Sequence, residues 1–313
     1  MIKKKLILIL VLSACAQERP KKDFYTVELE GSDSRSQLII TDQMNADYGP
    51  SPRRESKNES TADSIAMENK KVLALDLYPA LYHSLGYVSI FIELEKQGVK
   101  LDIVSSTGFT SIVAALYAKY GSANMLEWKT FELYQLLGSK KPFSDDWRQE
   151  IEDFLKKEFG TLKLNQLKKL FILPSLVEGR IHVDTDRKVI SALMEAIDLS
   201  EKTNMLLGNN YDYLGQLKKY GADQVYRVSF LPGKIELKRP NGYVFGIYSR
   251  LQGASKNFSE SPNIYLYKDA LKGSLDVFHN LSDALDQTRD ESAEFTKVVK
   301  KHLKKTPKTP RNN

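Results

Sequence analysis

The alternation of apolar and polar positions divides the chain into a short apolar start, a long polar stretch and a periodic body. Lys3, Lys4 and Lys5 precede an apolar run from Leu6 to Leu12. That run is too short for a bilayer, which takes about 20 apolar residues. From Asn45 to Asn69 the sequence is rich in Ser, Asn, Asp, Glu, Arg and Pro, with few large apolar residues. Such a composition cannot bury enough surface to offset its ordering entropy. Two short patches ahead of it, Phe24 to Val27 and Leu38 to Ile40, are suited to local pairing or to docking on the body.

Periodic structure begins after Lys70-Lys71. Val72-Leu73-Ala74-Leu75-Asp76 predicts a buried strand. Gly86 to Gln97 predicts a helix, with Val88, Phe91, Ile92 and Leu94 as its apolar set and Gly98 as a C-terminal cap. Val99 to Val104 predicts a second strand, and a tight turn at 105–110 leads into a second helix, Ser111 to Tyr120. Strand, helix, strand and helix in such quick succession predict a parallel sheet covered by helices, an α/β fold. Farther on, Val189 to Ala196 reads as a helix and Gly233 to Ile247 as a hairpin centred on Lys238-Arg239-Pro240-Asn241-Gly242-Tyr243. Tyr226, Tyr243, Tyr248, Tyr265 and Tyr267 give the C-terminal half many strand-favouring aromatics, and Leu275 to Val299 predicts one or two closing helices.

Composition and charge change this picture at the two ends. A chain of 313 residues that is 42% apolar can bury one sizeable core and leave room for tails. The formal charge is +6, but it falls to +3 without the three lysines at the start. The last seventeen residues, Lys297 to Asn313, hold seven Lys or Arg and no acid, so the remaining body is near −4. With Pro307 and Pro310, this end is expected to be a disordered basic tail, either solubilising or in contact with anionic lipid. Nothing points to specific nucleic-acid binding.

Cys15 is the one cysteine, so it cannot form an internal disulfide. A charged start, a short apolar run and small residues before Cys15 describe a secretory signal over residues 1–14. Leu12-Ser13-Ala14-Cys15 resembles the lipobox of bacterial lipoproteins. The resemblance implies a cysteine carrying palmitate-type acyl chains, and several such chains anchor stably. It places the protein in the cell envelope, bound to membrane through Cys15. Ala16 implies the outer membrane if the source is Gram-negative. Residues 15–69 then form a tether with an end-to-end distance of roughly 40 Å, and residues 70–296 form the domain.

Within that domain, Leu73-Ala74-Leu75, Ile92-Glu93-Leu94-Glu95-Lys96-Gln97-Gly98-Val99, Leu101-Asp102-Ile103-Val104 and Ile112-Val113-Ala114-Ala115-Leu116-Tyr117-Ala118 follow one another. Phe171 to Arg180, Val189 to Ala196 and Leu217 to Val228 continue the series. In order and spacing these segments resemble the patatin-like phospholipases. The resemblance implies a three-layer α/β fold with a central, mostly parallel sheet, and it marks where that family keeps its catalytic groups.

At those positions this chain differs. The family's nucleophile is the serine of Gly-x-Ser-x-Gly, and the matching five residues are Ser106-Thr107-Gly108-Phe109-Thr110, with Gly108 in the serine's place. Glycine tolerates the strained elbow backbone but has no oxygen with which to attack. The family's glycine-rich oxyanion loop, which aims backbone N–H groups at a developing anion, corresponds to Leu77-Tyr78-Pro79-Ala80. These residues are bulky, and Pro79 has no N–H. The family's catalytic aspartate falls near Met205, with no acid between Lys202 and Tyr211.

Other chemistry is thin. His83, His182, His279 and His302 lack metal-site spacing, Asp184 and Asp186 read as a surface turn, and no metal or cofactor is expected. His83 beside Ser84 would be a base beside a nucleophile only if adjacent side chains faced each other. Ser106, Thr107 and Thr110 offer hydroxyls near the elbow, expected to satisfy the turn. The expectation is a membrane-anchored, catalytically inactive protein of this fold that binds a partner protein or lipid-like ligand. The alternatives are an active but atypical lipid acyl hydrolase using one of those hydroxyls, and a purely structural envelope lipoprotein.

Overall fold

The computed structural model describes residues 71–177, 180–198, 213–239, 241–257, 262–278 and 280–304. Cys15 with the whole of 1–70, Met205, His279 and residues 305–313 lie outside these.

Five short strands, β1 (Leu73–Leu77), β2 (Ile103–Ser106), β3 (Leu170–Ile172), β6 (Gln224–Ser229) and β7 (Ile264–Leu266), form one parallel sheet in the order β3-β2-β1-β6-β7. Two others, β4 (Ser175–Val177) and β5 (Arg180–His182), pair antiparallel as a separate ribbon. β1 is buried at every residue, which a strand in the middle of a doubly covered parallel sheet must be. Its side chains alternate between faces. Leu73, Leu75 and Leu77 join the large core, whereas Ala74 packs with Ile103, Ile172, Leu217, Ala222 and Val225 on the opposite face. The large face is covered by α1 (Tyr87–Lys96), α2 (Thr110–Tyr120), α3 (Ala123–Leu137) and α4 (Asp145–Phe159). α5 (Val189–Ile197), α7 (Gly242–Lys256), α8 (Leu281–Gln287) and α9 (Arg289–Lys304) also contribute to that core. The smaller face carries α6 (Tyr213–Lys219). The α/β class, with a parallel sheet between helical layers, is as expected from the sequence.

Two expectations fail. The segment read as a hairpin over 233–247 enters helix α7 at Gly242. Val244, Ile247, Tyr248 and Leu251 recur at helical spacing and are buried, and the Asn241 side chain accepts from the Val244 N–H at 3.3 Å as an N-cap. The Arg-Pro-Asn-Gly signal is therefore a loop ending in a cap. The disordered tail was expected from Lys297, but α9 continues to Lys304. Phe295, Thr296 and Val299 keep that stretch on the core, and lysines in the last turn suit the negative end of the helix dipole. Among the described residues, no helix is long and apolar enough to cross a membrane.

Candidate functional site

Loops at the carboxyl ends of β1, β2 and β6 converge on the elbow between β2 and α2. Thr107 leaves β2, Gly108 takes a left-handed φ of +63°, and α2 starts at Thr110. An L side chain pays for such a φ in contact between Cβ and the following carbonyl, so glycine is the residue the turn demands. The Gly108 carbonyl accepts from Ser111 N–H at 3.0 Å and from Ser111 Oγ at 2.6 Å.

The hydroxyls around the elbow are engaged with the backbone. Ser105 Oγ donates to Ile172 O at 3.0 Å and Ser106 Oγ to Leu77 O at 2.8 Å. Thr110 Oγ1 accepts from Ala80 N–H at 3.0 Å. Thr107 is buried in the turn itself. Ser84 Oγ, also buried, has no hydrogen-bond partner among the described residues, so His83 is not placed to activate it. Through the bonds of Ser106 and Thr110, the turn at Ser106 to Thr110 lies against Leu77 to Ala80.

The amides of the loop after β1 are likewise committed. Tyr78 N–H donates to Val228 O at 2.9 Å, Tyr82 N–H to Leu275 O at 3.4 Å and His83 N–H to Ala80 O at 2.9 Å. Ala80 N–H is held by Thr110, and Pro79 has none. Leu81 sits at φ +41°, an unusual value for a non-glycine residue, where the chain turns into the 3-10 segment Leu81–Gly86.

Aromatic side chains fill the space beside the elbow. Tyr82 stacks on Phe278 with centroids 3.6 Å apart and meets Phe109 edge-on at 5.4 Å. Phe109 also lies 5.8 Å from Trp147, whose Nε1 donates to the Tyr82 hydroxyl at 2.6 Å. Tyr78, Tyr82, Phe109 and Trp147 are all buried. Burial pushes the Tyr78 and Tyr82 hydroxyls well above the usual phenol range, so they stay neutral donors and acceptors. The bulk of the 77–82 loop, noted in the sequence, is spent on this packing.

Sequence reasoning missed a buried ion pair under the loop. Asp76 on β1 lies in register with Ser105 on β2 and Arg227 on β6. Arg227 Nε donates to Asp76 Oδ2 at 2.5 Å, and both side chains are 4% exposed. Burial raises the Asp76 pKa, opposed by the adjacent guanidinium and the Ser105 hydroxyl. The signal was present: each strand pattern carries one charge inside an apolar run, and buried charges come paired.

The other candidates lie elsewhere. His182 ends β5, and His302 Nδ1 on α9 lies 3.0 Å from the hydroxyl of Tyr226 on β6. The acidic turn is a surface turn, with Asp186 N–H bonded to Asp184 and its carboxylate paired with Lys163 at 2.9 Å. Among the described residues, no group of three His, Cys, Asp or Glu could hold a metal ion.

Fold and site together define an α/β protein with a strand–glycine–helix elbow at the carboxyl edge of a parallel sheet. No family model matches the chain, and no curated protein is similar to it. Among solved structures it is similar to the type III effector protein ExoU, at 13% identity and a TM-score of 0.37, over 76% of this chain and 54% of that one. It is similar as well to full-length ExoU in complex with full-length SpcU, from the type III secretion system of Pseudomonas aeruginosa. There the identity is 13% and the TM-score 0.38, over 74% of this chain and 53% of that one. The chain thus spans about half the length of the structures it matches.

Proposed function

We propose that this chain is a membrane-anchored lipoprotein of the patatin-like class in which hydrolysis has been lost and the scaffold serves to bind a partner protein or a lipid-like ligand. The observation that carries the reading is Gly108 at the centre of the elbow, with no side chain to attack an ester. The engaged amides of Tyr78, Ala80 and Tyr82 support it further, because an oxyanion needs donors that are preorganised and free. Nucleophile and oxyanion donors act as a unit, so a site lacking both has little residual chemistry to offer. Anchoring rests on the Leu12 to Cys15 motif, and the lysines from Lys297 to Arg311 add attraction to anionic lipid.

Two assays on the full chain test the reading. Fluorophosphonate labelling and ester hydrolysis are measured on the wild type and on Gly108→Ala, and neither should rise above background. Labelling of the wild type would sink the inactive-site reading and identify the displaced hydroxyl. Metabolic labelling with an alkynyl palmitate should mark the wild type and be lost in Cys15→Ala.

A further inference from the structure

The first turn of α7 stands proud of the body. Residues two apart on a helix point to different sides, yet Tyr243 and Phe245 are 52% and 50% exposed while Val244 between them is buried. Single exposed rings are ordinary, but two on one projecting turn are a feature. The tip is held firmly. The Asp76 pair lies deeper, while here the Asp276 carboxylate accepts from Lys238 N–H at 2.8 Å and Arg239 N–H at 2.9 Å, and Asn241 caps the helix. Arg239 Nη1 donates to Lys140 O at 2.7 Å and Ser139 O at 3.2 Å, clasping the loop after α3. Phe143 in that loop meets Tyr243 edge-on at 5.9 Å and rests 5.0 Å from buried Trp147.

The unpaired charge around this tip is positive on balance. Lys140 pairs with Glu150, and Arg148 with Asp198. Among the described residues, Lys141, Lys238, Arg239 and Arg250 make no ion pair within 4.0 Å. Asp145 and Asp146, opening α4, offset part of that charge. Two half-exposed rings beside unpaired cations, on a turn held by backbone bonds, suit a deformable anionic surface.

We infer that this tip contacts an anionic bilayer. Tyr243 and Phe245 enter the headgroup region, where amphipathic rings settle, and Lys141, Lys238 and Arg250 meet lipid phosphates. The contact does not depend on acylation of Cys15, and it would fix which side of the tethered domain faces the membrane.

The test uses the full chain carrying Trp128→Phe and Tyr243→Trp, so that the reporter sits at the tip and buried Trp147 is the internal reference. It is mixed with phosphatidylcholine vesicles, with or without phosphatidylglycerol, bearing brominated acyl chains. Flotation reads the anchor, and bromine quenching reads the tip. Quenching at 243 only when phosphatidylglycerol is present is the expected result. Lys238→Ala should then raise the lipid needed for half quenching about fivefold, and Phe245→Ser should raise it further, with circular dichroism unchanged. Flotation without quenching at 243 would show that anchor or tail holds the chain while the tip stays in water, and would overturn the inference. So would equal quenching at 243 on neutral vesicles, or quenching of buried Trp147 to the same extent as of the tip reporter. Absence of flotation on neutral vesicles together with quenching on anionic ones would count against the anchor and leave the tip standing.

Discussion

The elbow at Gly108 and the tip at Tyr243 lie on the same edge of the sheet and are built on opposite principles. At the elbow, hydroxyls and amides are matched within the protein and the neighbouring space is filled by rings. At the tip, two rings are half exposed beside Lys141, Lys238 and Arg250, which make no ion pair among the described residues, and the backbone beneath is capped and clasped. Saturated polar groups in a packed setting stabilise a fold. Exposed side chains on a firmly held base are available to something else. The contrast shifts the search for function from the interior of this edge to its rim.

The comparison breaks most readily at the interior. Arg227→Met leaves the Asp76 carboxylate buried and unpaired, and should destabilise the fold by about 3–5 kcal/mol in urea titration. Adding Asp76→Leu should recover part of that loss. A cost near zero would mean that water reaches the pair. Next in size is Gly108→Ala, where a Cβ at φ +63° should cost about 1–2 kcal/mol. Gly108→Ser should cost as much and remain blind to fluorophosphonate, because the loop amides stay committed.

A smaller effect comes from Glu158, which holds α2, α3 and α4 together through Lys119 and Lys129, the latter at 2.7 Å. Burial works against its charge, yet hydrogen bonds from Lys129, Tyr120 and Lys119 hold its pKa below the ordinary 4.5. A lowered carboxylate pKa stabilises the folded state fully above the unfolded value, and that stability drains away as pH falls through the folded one. Stability should therefore decline below about pH 4.5, and Glu158→Gln should flatten that slope in a pH series of melts. The smallest effect belongs to the tip. Phe245→Ser should move stability by no more than about 0.5 kcal/mol, and a larger loss would mean that the ring is part of the core after all.

The centre of the sheet was legible because β1 is short, apolar and buried at every residue, and the strand expected at Val72 to Asp76 lies at Leu73 to Leu77. The elbow was legible for the same reason: a turn with glycine between a buried strand and an apolar helix leaves few alternatives. Position 103–106 for β2, which begins four residues and ends two residues later than the expected Val99 to Val104, is set by register against β1 and not by local propensity. The 233–247 segment was misread because a turn signature of Pro, Asn and Gly serves a hairpin and a helix cap equally well. Only the buried spacing of Val244, Ile247 and Leu251 tells them apart. The aromatic packing could not be foreseen, since Trp147 and Phe278 reach Phe109 from distant parts of the chain. The tip escaped notice because exposure is a property of the assembled surface, whatever the residue's identity.

The central place of β1 also shapes the order in which the protein can assemble. β1 borders β2, which follows soon after, and β6, which carries an Asp76 partner 151 residues downstream. Until β6 has emerged, one flank of β1 has no strand to pair with and Asp76 has no counter-charge. Pairings so distant along the chain close slowly, because loop entropy is lost before contact is gained. The amino-terminal half therefore cannot settle prematurely into a finished domain. That delay keeps the nascent chain pliable until its carboxyl-terminal half has been made.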